Sequence, residues 1–172
     1  INLEQDDKVK AFLVTEDLKD EDYVNSHYVI MATKKGQVKK TSLEQYSRPR
    51  TNGINAITIK EGDELLEAKL TTGDSQVMLA LKSGKSIRFE EGKTRPMGRN
   101  ASGVRGITLS NKKDEVIGMI AVNDLESNIL VVSENGYGKR SDLEDYRITN
   151  RGGKGVKTIN VTEKTGNLVA IK

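Results

Sequence analysis

Residues 127–172, SNILVVSENGYGKRSDLEDYRITNRGGKGVKTINVTEKTGNLVAIK, hold one complete architectural unit. ILVVSE is a short run rich in branched residues. It ends in ENGY, whose Gly136 can take the positive φ of a tight hairpin turn. GKRS is the return strand. After a loop of about a dozen residues, TINV and LVAIK supply two further strand-like segments. The loop is purely cationic where it matters: Tyr146 to Ile159, YRITNRGGKGVKTI, carries two arginines, two lysines and three glycines in fourteen residues, with no acid.

Two further copies precede this unit, one beginning at His27 (HYVIMATKKGQVKKTSLEQY) and one at Ser75 (SQVMLALKSGKSIRFEEGKTRPMGRNASGVRGI). The turn glycines Gly36, Gly84 and Gly136 stand 48 and 52 residues apart. Each is followed 17 to 19 residues later by a second glycine, Gly53, Gly103 or Gly155. Apolar pairs at a spacing of three come next: Ile54 with Ile57, Val104 with Ile107, Val156 with Ile159. The start of the chain, INLEQDDKVKAFLV, aligns with ITLSNKKDEVIGMIAV of the second copy and reads as half of a fourth repeat. The predicted organisation is one domain: 1–26 as the end of a preceding repeat plus a connection, then repeats at 27–74, 75–126 and 127–172. Four strands per unit at a period near 50, with ITIK, ITLS and TINV as the third strand of successive units, predict an all-β propeller of four-stranded blades. No segment sustains a 3.6-residue apolar period, which disfavours a helical solenoid. Because the repeats interrupt a ring, the terminal blades are expected to expose strand edges.

Charge gives the repeat its meaning. The windows 34–50, 82–105 and 139–157 hold 19 of the 28 basic and 6 of the 25 acidic residues, so they carry +13 and the rest of the chain −10. Matched positions in a radial repeat map to matched places on each blade, so these windows predict one continuous belt. A cation stands four residues after each turn glycine (Lys40, Arg88, Arg140), and each long loop carries an arginine pair: Arg48 with Arg50, Arg95 with Arg99, Arg147 with Arg151. With Lys39, Lys85, Arg105, Lys139, Lys154 and Lys157, these form the candidate phosphate contacts. The neighbouring small residues in TNG, NASG and GGKG are expected to let backbone amides approach a phosphate.

Other chemistries find little support. The 172 residues contain no cysteine and one histidine, His27, which leaves little for a metal or nucleophile–base site. GGKGVKT lacks the spacing of a P-loop. No apolar run reaches membrane-spanning length, and the first residues lack signal-peptide character. The sequons at Asn100 and Asn160 matter only in a secreted protein. Tyr46 and Tyr146 read as loop anchors, and EDLKDED, residues 16–22, as an exposed connection between blades. A protein-scaffolding propeller would show apolar or mixed-charge rims, and a propeller enzyme would need convergent carboxylates or metal ligands; neither pattern is evident.

ATKKGQVKKTSLEQY, RPMGRNASGVRGI, SENGYGKRSDLEDY and RGGKGVKTINVTEKTG together resemble consecutive blades of the C-terminal domain of the bacterial DNA gyrase A subunit, within the type IIA topoisomerase A-subunit family. The resemblance covers essentially the whole chain. It implies a six-bladed β-pinwheel whose neighbouring blades exchange strands, of which this chain is expected to be an incomplete set. It also implies double-stranded DNA as partner, bent and wrapped around the rim, within a cytoplasmic A2B2 holoenzyme of gyrase A and B subunits. That holoenzyme uses ATP and Mg2+ to introduce negative supercoils; the chain itself is expected to hold no cofactor and no catalytic residue. The family's Q-R-R-G-G-[KR]-G box belongs to the first blade, and NRGGKG, residues 150–155, only echoes it. The chain is therefore expected to bend DNA without wrapping it fully. The equivalent domain of the topoisomerase IV A subunit is the nearest alternative.

Overall fold

The computed structural model describes residues 3–172, so Ile1 and Asn2 of the opening half repeat lie outside the described residues. The chain builds three antiparallel sheets. In the first, β1 (Tyr28–Thr33) and β2 (Gln37–Ser42) form a hairpin, and β3 (Leu65–Thr71) pairs with β1 on the other side. β4 (Gln76–Leu81), β5 (Lys85–Glu90) and β7 (Val116–Val122) repeat that arrangement in the second. In the third it is repeated by β8 (Asn128–Ser133), β9 (Gly138–Asp142) and β11 (Leu168–Ile171). All three hairpins turn the same way: the N–H groups of Gly36, Gly84 and Gly136 donate to the carbonyls of Thr33, Leu81 and Ser133 at 2.9–3.0 Å.

The fourth strand departs from the sequence reading. ITIK, ITLS and TINV form no strands. The strand instead lies three residues before ITLS and two before TINV, is two residues long and joins the preceding sheet. β6 (Val104–Arg105) pairs with β2, Arg105 opposite Gln37 and Val104 opposite Val38. β10 (Val156–Lys157) pairs with β5 in the same register, Lys157 opposite Lys85 and Val156 opposite Ser86. Residues 54–60 form no strand. Strand exchange between neighbouring sheets is thus a property of this chain.

The close approach depends on the second glycine of the second and third repeats. A Cβ on Gly103 would stand 2.4 Å from the Val38 carbonyl oxygen, and one on Gly155 would stand 2.4 Å from that of Ser86. Both residues have positive φ, +88° and +72°. Here the glycines admit the edge of the preceding sheet.

Continuous apolar runs in β1 and β4 follow from burial on both faces. Successive side chains on a strand point to opposite sides, so each run feeds two cores. Ile30 and Ala32 join Val77, Leu79 and Leu81 between the first and second sheets. Met78 and Ala80 join Ile129, Val131, Leu143, Tyr146 and Leu168 between the second and third. Val29 and Met31 face a further cluster with Ala11, Leu13 and Leu18. Residues 9–14 make no ladder, yet they alternate as a strand does, with Ala11 and Leu13 inward and Phe12 and Val14 exposed.

The acidic stretch at 16–22 is exposed apart from Leu18, and its last two residues begin α1 (Glu21–Ser26), a helix that the all-strand reading omits. Asp20 caps α1, its carboxylate accepting from the N–H groups of Asp22 and Tyr23. His27 closes it, with Nδ1 2.8 Å from the Tyr23 carbonyl oxygen. Among the described residues no helix is long and apolar enough to cross a membrane.

Candidate nucleic-acid interface

β7 packs against both β3 and β11 at one end of the sheets, which places β6 and β10 at the opposite, outer end. The long loops leading into these outer strands run along the outer edge of the preceding sheet. Pro96 bridges to Lys40, and Ile148 bridges to Arg88. The N–H of Met97 donates to the Lys40 carbonyl at 2.8 Å, and that of Thr149 donates to the Arg88 carbonyl at 2.9 Å. Short 3-10 turns, Leu43–Tyr46, Glu91–Lys93 and Leu143–Asp145, start these loops. Tyrosines anchor two of them: Tyr46 donates to the Ala56 carbonyl at 2.9 Å, and the Tyr146 hydroxyl bonds that of Thr158.

Consecutive loops are tied to each other. Arg99 Nη1 donates to the Asn55 carbonyl at 2.9 Å, and the Thr58 hydroxyl donates to that of Asn100 at 2.7 Å. One repeat later, Arg151 donates through Nε to the Lys93 carbonyl and through Nη1 to that of Arg105, at 3.0 and 3.1 Å. Arg99 and Arg151, each the second arginine of its pair, therefore staple consecutive loops, and both are half-buried.

Of the fifteen candidate cations, nine are exposed: Arg48, Arg50, Arg95, Arg105, Lys139, Arg140, Arg147, Lys154 and Lys157. Lys85 is half-buried in β5. Arg48, Arg50 and Arg99 come together around one surface depression with Glu44, Gln45 and Ile54.

Lys39, Lys40 and Arg88 correct the sequence reading, because all three are buried. Lys40 Nζ lies 2.9 Å from Glu91 Oε1 and over the Tyr28 ring. Arg88 donates through Nη1 to the carbonyls of Leu143 and Tyr146 at 2.8 and 2.9 Å, and through Nε to Gln76 Oε1 at 2.7 Å. Lys39 is fully buried, with its Nζ on the carbonyls of Ala56 and Arg99. Burial, reinforced by the nearby Arg99 guanidinium, lowers its ammonium to about 8. The physical reason is common to all three: the next repeat's loop closes over them. Arg140, at the same place in the third repeat, has no such cover among the described residues and is exposed.

Glu91 is the residue the sequence reading missed. It is fully buried and accepts from the Thr71 hydroxyl at 2.7 Å and the Ser75 N–H at 3.2 Å. The signal was present in the alignment of repeats, where a carboxylate stands in the place of Leu43 and Leu143.

Antiparallel sheets, the first two each completed by a strand from the next repeat and edged by cation-bearing loops, define a β-propeller of the strand-exchanging, pinwheel kind. The chain belongs to the DNA gyrase C-terminal domain, beta-propeller family, whose model matches at residues 27–72, 77–123 and 127–172. It is 44% identical over 172 residues to the DNA gyrase A subunit of Staphylococcus epidermidis, covering 99% of this chain and 19% of that protein. The same identity and coverage hold for its counterpart in Staphylococcus aureus. The chain thus spans about a fifth of the length of these relatives. Its fold is similar to a solved DNA gyrase A C-terminal domain, at TM-score 0.83 and 24% identity over 100% of this chain and 55% of that one. It is also similar to the C-terminal domain of DNA topoisomerase IV, at TM-score 0.80 and 23% identity over 86% of this chain and 46% of that one.

Proposed function

We propose that the rim loops bind and bend duplex DNA through its phosphates, without reading base sequence. The observation that carries this reading is the tying of consecutive loops into one outer edge along which nine exposed cations stand. Guanidinium and ammonium groups on a curved edge match a bent phosphate backbone and offer no pattern matched to base edges. Within an A2B2 gyrase in the bacterial cytoplasm, such bending would present the DNA crossing that ATP-driven strand passage converts into negative supercoils. ATP, Mg2+ and the cleavage chemistry would then belong to other parts of the holoenzyme. The 44% identity to gyrase A subunits supports gyrase over topoisomerase IV.

Replacing Arg147, Lys154 and Lys157 by alanine tests the reading, since all three are exposed. The slope of log affinity against log salt should flatten by roughly 2.7, three contacts at about 0.9 each. Lys8, Lys19 and Lys112, also exposed, form a control triple of equal charge. Equal losses in both triples would reduce the rim to general basicity.

A further inference from the structure

Lys39 is a buried cation without a counter-ion: among the described residues no carboxylate lies within ion-pair distance of it, and its charged neighbour is Arg99, of like sign. A buried ammonium in such a setting costs stability, and an apolar side chain would avoid the cost. The next repeat shows that alternative, with Ile87 at the equivalent position in the core. What the ammonium does in exchange is geometric. Its Nζ donates to Ala56 in the first rim loop, at 2.5 Å, and to Arg99 in the second.

Arg99 is thereby fixed from several directions. Its carbonyl is held by Lys39, its N–H donates to Gln45 Oε1 at 3.1 Å, and its guanidinium donates to Asn55. The guanidinium is set beside Arg48 and Arg50, which come from the other loop. We propose that Lys39 is a positioning residue: its ammonium clamps the first two rim loops together and sets the spacing of Arg48, Arg50 and Arg99 across the boundary between the first two sheets. The proposal rests on the reading of the rim as a phosphate-binding edge, and it assigns Lys39 no phosphate of its own.

The test combines Lys39→Met with a triple variant, Arg48→Ala, Arg50→Ala and Arg99→Ala. Lys39→Met should fold with an unchanged or raised thermal midpoint, because it removes a buried charge, yet bind a random-sequence duplex roughly tenfold more weakly. In the triple background the same substitution should cause no further loss. Hydrogen exchange should quicken at the amides of 55–58 and 97–101, with or without DNA.

Equal DNA-binding losses in both backgrounds, or unchanged exchange in these segments, would overturn the clamp. If the triple binds DNA as the parent does, the phosphate-rim reading fails by itself, and exchange still decides whether Lys39 joins the loops. Should Lys39→Met fail to fold, Lys39→Gln, which keeps a donor for the carbonyls, takes its place. Failure of both would make Lys39 a structural residue and end the proposal.

Discussion

The two junctions between sheets share a backbone and differ in chemistry. Where β6 joins β2, the buried charged groups are Lys39, Lys40 and Glu91, with Thr71 and Ser75 donating to the carboxylate. Where β10 joins β5, the matched positions hold Ile87, Arg88 and Leu143; the arginine is satisfied by Gln76 and by the carbonyls of Leu143 and Tyr146, and among the described residues no buried acid pairs with it. Strand insertion, register and turn geometry are the same in both. The backbone bonds of the inserted strand and its glycine therefore set the architecture, while the polar groups beneath are free to be an ion pair in one place and a hydrogen-bonded guanidinium in the other.

The strongest way to break this contrast is to remove Glu91. Glu91→Leu gives the first junction the leucine of the third repeat but strands Lys40 as an unpaired buried charge. It should cost roughly 3–5 kcal/mol in denaturant unfolding. Lys40→Met combined with Glu91→Leu should return stability to within about 1 kcal/mol of the parent, or above it. A double variant as unstable as the single one would show that the ion pair is required by the backbone, and the junctions would not be interchangeable.

The matching change at the second junction is Arg88→Met. It abandons the Tyr146 carbonyl and Gln76, and a loss of roughly 2–3 kcal/mol is expected by the same measurement. Because no opposite charge is left behind, no second substitution should be needed to understand it. A loss as large as that of Glu91→Leu would remove the distinction between the two chemistries.

The smallest effect expected is one of pH. Lys39 is held at about 8 when folded, against 10.5 when unfolded. Between those values the unfolded chain keeps a proton that the folded chain has released, so stability rises with pH across the window. Burial pushes the Tyr46 phenol up, away from the lower part of that window. Relative to Lys39→Met, the parent should gain about 1 kcal/mol between about pH 7.5 and 9. Ile87 gives the second junction no counterpart. A flat difference would mean that Lys39 titrates as an exposed lysine does.

These contrasts mark what could be read from the chain. Turn glycines at a fixed period and apolar runs that continue instead of alternating are local signals, and they revealed the hairpins and the propeller class. The inserted strand was misplaced because its position is set by the two residues of β2 or β5 that it meets, and nothing within ITLS or TINV records that meeting. The cations failed for a related reason. Lys40, Arg88 and Arg140 are one pattern in sequence, but a loop from the following repeat buries the first two and leaves the third exposed. Arg48, Arg50, Arg147 and Lys154 were legible as exposed because loops that cross an outer edge have nowhere to bury a charge.

Strand insertion also has a consequence for the order in which the chain is made. Gln37 leaves the ribosome 68 residues before its partner Arg105, the difference of 105 and 37. At about 5–20 residues per second, the outer edge of β2 waits roughly 3 to 14 seconds for its cover. A nascent strand left open for that long invites pairing with whatever chain lies nearby, and lysines along an edge are a known deterrent. Lys39 and Lys40 sit on that edge. Until the second repeat's loop covers them, their charges are expected to guard the unaccompanied strand against the wrong neighbour.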